Sequence, residues 1–177
     1  MIWRLAPAAD TLRNQVNTRY PKRDRRSDGT IGDQAHRRRM SDHNPDKAGF
    51  VMALDLDEDN WPAHVFADQL IAYMRTSNDT RIKNVVYENR VASGTYADVK
   101  GQPPRYWQWR PAKGMGHEHH IHISFTAFAR HDAQAFPIPI LLNASPTQTD
   151  RNDSLDAPAG ELVPAKRTRK KAAPKPP

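Results

Sequence analysis

The stretch HIHISF at residues 120–125 decides the fold. Its alternation sends His120, His122 and Ser124 to one side of a strand and Ile121, Ile123 and Phe125 to the other. The apolar side asks for burial, while the opposite side presents two imidazoles about 6.6–6.8 Å apart along the strand. The expected class is α+β, a small antiparallel sheet with helices packed on one face and the histidines on the open face.

Working outward, GFVMALDLD at 49–57 alternates and predicts a strand through Asp55. RIKNVVYENRVAS at 81–93 predicts two short strands around Glu88-Asn89, and RYWQWR at 105–110 alternates aromatic and polar groups as a further β segment. Ala9, Leu12, Val16 and Tyr20 recur at helical spacing, predicting a helix from Ala8 to Arg19 ended by Pro21. A second helix carries Val65, Phe66, Leu70, Tyr73 and Met74 on one face, with Pro62 in its first turn and Ser77 to Thr80 closing it. Between the first helix and the first histidine motif, KRDRRSDGTIGD at 22–33 reads as loop.

Composition sets the limits. The chain has 177 residues and no cysteine, which excludes disulfides, thiolate zinc sites and a cysteine nucleophile, so any metal is held by His, Asp or Glu. No stretch approaches the ~18–20 apolar residues of a membrane span, and MIWRLAPAAD lacks the pattern of an export signal. The net charge of +7 is uneven, because KRTRKKAAPKPP at 166–177 holds six Lys and Arg and no acid, leaving +1 on the other 165 residues. From Asn143 onward there is no aromatic residue and six of the fifteen prolines appear. The expected organisation is a domain over 1–142 and a disordered basic tail over 143–177. Two readings of the tail stay open: electrostatic attachment to a polyanion such as DNA, teichoic acid or an anionic envelope, or a solvated segment that aids solubility.

Four of the eight histidines fall in GHEHHIH at 116–122, and His43 sits in SDHNP ahead of the strand containing Asp55. A single histidine is more often a surface or satisfied core residue than a ligand, but a cluster with a carboxylate partner changes that balance. Two imidazoles and one carboxylate supply the three protein ligands of a catalytic zinc site.

GDQAHRRRMSDHNP, then VMALDLD, then GHEHHIHIS resemble the ordered motifs of the zinc peptidases that cut peptidoglycan peptides, the D-alanyl-D-alanine carboxypeptidase and murein endopeptidase superfamily that includes phage endolysins. The opening WRLAPAADTLRNQVN and the SDGTIGD segment are similar to an actinobacterial and actinophage branch, so the resemblance covers roughly residues 1–126. It implies that His43, Asp55 and His122 hold Zn²⁺. In the usual motif six residues separate the first His and the Asp, whereas eleven lie between His43 and Asp55, so NPDKAGFVM is expected to loop out. Asp57, on the same strand face as Asp55, competes for the ligand position.

For the catalytic base, the resemblance to penicillin-insensitive murein endopeptidases matches His117 and His120, five and two residues before the last ligand. His120 is expected to take a proton from zinc-bound water or stabilise the oxyanion, with His117 assisting and Glu118 a competing base or a solvated loop residue. Arg37, Arg38 and Arg39 are expected to offer a bidentate clamp for a substrate carboxylate, although each alone reads equally as a solvated surface group. His36 either lines the cleft or buttresses its loop, and Trp107 and Trp109 favour the core over a groove wall.

The implied activity is hydrolysis of a stem-peptide or cross-link amide by metal-activated water, in a monomer made in the cytoplasm, or in that of a phage host, and acting on the cell wall. Two rivals remain. Asp42-His43-Asn44-Pro45 superficially resembles the motif of His-Asn-His nucleases, but that reading leaves Asp55 and the HIHIS strand without roles, and no stable nucleic-acid partner is expected. The other rival is a non-catalytic wall-binding protein with a structural metal.

Overall fold

The computed structural model describes residues 3–32, 40–94, 106–112, 114 and 116–142. Along them run β1 (Arg4–Leu5), α1 (Pro7–Arg19), β2 (Phe50–Val51), β3 (Ala53–Asp57), α2 (Ala63–Thr76), β4 (Ile82–Tyr87), β5 (Arg90–Ser93), β6 (Arg110–Pro111), β7 (His120–Phe125), a 3-10 turn (Ala127–Arg130) and α3 (Pro139–Leu142). The architecture is α+β. Residues 143–177, expected as the tail, lie outside the described residues, as do His36, Arg37, Arg38 and Arg39.

β7 lies between β3 and β4 in a five-stranded antiparallel sheet ordered β3-β7-β4-β5-β6. Its alternation is realised as expected. Ile121, Ile123 and Phe125 enter the core with Leu54 and Leu56 of β3 and Val85 of β4, whereas His120 and His122 are only half-buried. Each leucine-sized side chain removed from water there contributes ~1.5–3 kcal/mol.

The helices supply the other wall of that core. α1 starts on Pro7, whose missing N–H is harmless at a helix start, and buries Ala8, Ala9, Leu12 and Val16. The Tyr20 N–H donates to the Val16 carbonyl and Pro21 follows, so the helix stops there. α2 buries Phe66, Ala67, Leu70, Ile71 and Met74. Pro62 stands at its N-cap instead of within its first turn. No helix among the described residues is long and apolar enough to cross a membrane.

Three expectations need correction. The 49–57 segment is two strands, because Met52 breaks the run: its N–H donates to the Asp42 carbonyl at 2.9 Å and its carbonyl accepts from the Phe125 N–H at 2.8 Å. The insertion between His43 and Asp55 does not simply loop out. Asp46 accepts the N–H groups of Ala48 and Phe50, the turn leads into β2, and β2 pairs in parallel with β1, burying Phe50, Val51 and Met52. Three adjacent apolar side chains are a poor fit to solvent, and the small second sheet covers them. Lastly, of residues 106–110 only Arg110 is in a strand. Trp107 has φ +48° and is 1 % exposed, so burying its indole turns the chain away from sheet geometry.

The β4–β5 hairpin positions the loop before β7. Glu88 and Asn89, with φ +48° and +57°, form the two-residue reversal that matches strand twist. From it the Glu88 N–H donates to the His117 carbonyl at 3.1 Å, and Asn89 Nδ2 donates to Glu118 at 3.1 Å.

Candidate metal centre

Strand register builds the centre. β3 and β7 pair Asp55 directly with His122, so their side chains share the open face, and His122 Nδ1 lies 2.9 Å from Asp55 Oδ1. His43 arrives from the loop ahead of β2, where Ser41 Oγ accepts its N–H and its carbonyl accepts the Gly32 N–H. Its Nε2 lies 3.2 Å from Asp55 Oδ2 and 3.2 Å from His122 Nδ1. One ligand atom from each of these three residues falls within 4.8 Å of the others, an arrangement that can hold a metal ion.

The surrounding groups fix which atoms face inward. His43 Nδ1–H donates to the Thr30 carbonyl at 2.7 Å, which leaves Nε2 with its lone pair toward Asp55 and His122. His122 Nε2 contacts Ser124 Oγ at 3.0 Å, which leaves Nδ1 for the centre. Gly29 exchanges backbone hydrogen bonds with Asp55, at 3.2 and 2.8 Å, and so lays the 27–30 segment along the outer side of β3.

That segment is itself clamped. The fully buried Arg23 guanidinium grips Asp28 with contacts of 2.7 and 2.5 Å, Asp28 Oδ1 accepts the Asp57 N–H, and Asp57 Oδ2 accepts the Ser27 N–H. Asp57 also accepts the Asp59 N–H. Both its oxygens therefore serve backbone donors, and it belongs to neither metal-capable group among the described residues. Asp55 is the carboxylate common to both metal-capable groups among the described residues.

Electrostatics at the centre follow from close packing around one carboxylate. Burial alone would raise Asp55, but the hydrogen bonds and charges of His122 and His43 more than offset it and hold the carboxyl well below the ordinary range. Burial likewise pulls His43 down, yet Asp55 and the Thr30 carbonyl reverse the effect and leave it raised.

A second group adjoins the first. His117 and His120, with Asp55, also bring ligand-type atoms within 4.8 Å of one another. His117 Nδ1 and His120 Nε2 share a hydrogen bond of 2.7 Å, and His120 Nε2 stands 3.8 Å from Asp55 Oδ1. Burial, helped by the charges of His122 and His120, pushes His117 down to about 4. Burial lowers His120 as well, against the pull of Asp55. Both rings are therefore neutral near pH 7, one nitrogen of each able to accept a proton.

Of the other candidates, Glu118 is exposed and held by Asn89, outside both groups. Asp42 forms an ion pair with Lys83 at 2.8 Å. Trp107 is a core residue, and the partly buried Trp109 donates its indole N–H to Asp68. Sequence reasoning missed Gly29, Thr30 and Ser124 as partners of the centre. Ser124 was visible through the alternation of β7, whereas Thr30 acts through its backbone carbonyl, for which side-chain type carries no signal.

The donor set fits a divalent cation. Two imidazole nitrogens lie 3.2 Å apart beside a carboxylate kept ionised, a donor set able to hold a metal ion, and each ring's other nitrogen has a partner that fixes its orientation. Comparison with family models, curated proteins and solved structures finds no match, so the functional reading rests on this geometry.

Proposed function

We propose that the chain is a zinc-dependent peptidase of peptidoglycan peptides. The observation that carries the reading is the convergence of His43, Asp55 and His122, from three separate parts of the sequence, next to the neutral pair His117 and His120. Imidazole and carboxylate donors suit Zn²⁺ among the common divalent ions. Bound there, zinc would supply Lewis acidity toward a peptide carbonyl and the activation of water.

The chain's own residues do the rest. His120 accepts the proton of the attacking water and delivers it to the departing amine, a role open to a neutral imidazole at pH 7. His117 holds the His120 ring by their 2.7 Å hydrogen bond and is itself kept in place by the Glu88 N–H. Glu118, turned to Asn89, is left out of this scheme. The basic segment 166–177 supplies an attachment to anionic wall polymers.

The test is incubation of the purified chain with peptidoglycan. New amino termini are expected, lost with chelator and regained with Zn²⁺. Intact wall peptides together with cleavage of DNA would replace the peptidase reading with the nuclease one.

A further inference from the structure

Asp55, His117 and His120 are a ligand set in their own right. Their ligand-type atoms lie within 4.8 Å of one another, and solvent reaches them: His117 is half-buried, and the His120 side chain is 25 % exposed. His117 Nδ1 stands 2.7 Å from His120 Nε2, which stands 3.8 Å from Asp55 Oδ1. These separations bracket the ~3.3 Å edge of a tetrahedron with zinc–ligand bonds of ~2.0–2.1 Å, so small ring rotations close the three groups around an ion. His117 is held there with φ +63°, uncommon for a residue with a side chain, while the Glu88 N–H donates to its carbonyl.

The carboxylate can serve both groups. Asp55 Oδ2 faces His43 at 3.2 Å, and Oδ1 lies between His122 at 2.9 Å and His120 at 3.8 Å. Two-metal sites hold their ions ~3.5–4 Å apart, a spacing that one carboxylate spans with its two oxygens. This second group is the weaker for two reasons. An ion on His43 and His122 already draws on the Asp55 charge and repels another cation. The outer nitrogens of His43 and His122 are held by the Thr30 carbonyl and Ser124, whereas His117 Nε2 and His120 Nδ1 have no hydrogen-bond partner among the described residues.

We infer that Asp55, His117 and His120 form a second, inhibitory site for a divalent transition-metal ion, filled by zinc in excess of one equivalent. The proton of the His117–His120 hydrogen bond passes through water to the outer nitrogen of its ring, so both inner nitrogens turn lone pairs to the ion and no net proton leaves. His120 then has no lone pair left for the attacking water, and hydrolysis stops. The inhibition rests on the peptidase reading; the binding does not.

Calorimetric titration of the metal-free full chain with Zn²⁺ is expected to show two events of one ion each, the second weaker by about 100-fold or more. His117→Asn, whose side chain tolerates the left-handed backbone, is expected to keep the first event and lose the second, as is His120→Ala. Turnover of a soluble stem peptide by the wild type is expected to rise up to one equivalent of zinc, then to fall about 10²-fold as the second event saturates, the size of a lost acid–base group. A single event in the wild type, or a second event unchanged in both folded variants, overturns the site. Full turnover with both ions bound overturns the inhibition. Two events in a chain that cuts no stem peptide leave the site standing and remove the peptidase reading.

Discussion

Gly29 is packed so closely against Asp55 that a Cβ added to it would lie 2.7 Å from Asp55 Oδ2. The two residues also exchange backbone hydrogen bonds, so the glycine cannot withdraw without breaking them. A methyl group there displaces the carboxylate from His43 and His122. Gly29→Ala is expected to weaken zinc binding about 10- to 100-fold, the range seen when orienting contacts of a metal ligand are lost. Calorimetric titration with Zn²⁺ checks this, and unchanged affinity would remove the positioning role.

The Arg23–Asp28 pair anchors the same segment. Arg23 is fully buried on its side-chain atoms, and its partner also caps the Asp57 N–H. Removing one member of a buried pair strands the other, so Arg23→Ala is expected to cost about 3 kcal/mol of folding stability. Urea denaturation of the metal-free chain measures it, and a loss below ~1 kcal/mol would place the pair with ordinary surface ion pairs.

How far these features were legible follows from the kind of signal each one leaves. The alternation of residues 120–125 placed His120, His122 and Ser124 on one face because side-chain direction in a strand is a matter of parity. The helical faces of α1 and α2 were readable for the same reason at a different period. The register that sets Asp55 opposite His122 was not, since it joins strands far apart in the sequence and no local pattern specifies it. Trp107 was misplaced within an alternating run, where burial of one indole outweighed the β pattern. Three groups of the candidate centre were legible as residue types, yet the Thr30 carbonyl that orients His43 was invisible.

pH acts on the metal-free chain through His43. Its folded-state pKa is raised, so the His43–Asp55 interaction contributes stability that is full below the unfolded value of ~6.5 and is lost as pH rises through the raised folded value. Zinc requires the neutral imidazole and competes with that proton. Zinc affinity is therefore expected to fall as pH drops through the raised His43 value, with proton release on binding. Calorimetry in two buffers of different ionisation enthalpy measures the release; identical heats near that pH would contradict it.

His120 and Glu118 separate cleanly by geometry. His120 stands 3.8 Å from Asp55 Oδ1, whereas Glu118 is exposed and bonded to Asn89. His120→Ala is expected to retain zinc and lose about 10²- to 10⁴-fold in kcat, the contribution of a positioned acid–base group. Glu118→Gln is expected to stay within a few-fold of wild type. Turnover of a soluble stem peptide checks both, and the reverse ranking would transfer the proton-transfer role to Glu118.

The central claim is that His43, Asp55 and His122 jointly hold one divalent ion. Elemental analysis after dialysis against Zn²⁺, on wild type and on His43→Ala, Asp55→Ala and His122→Ala variants shown by circular dichroism to be folded, tests it most directly. The expected result is one zinc per wild-type chain and loss of it in each variant. Wild-type protein that retains no zinc, or folded variants that retain as much as wild type, would contradict the account.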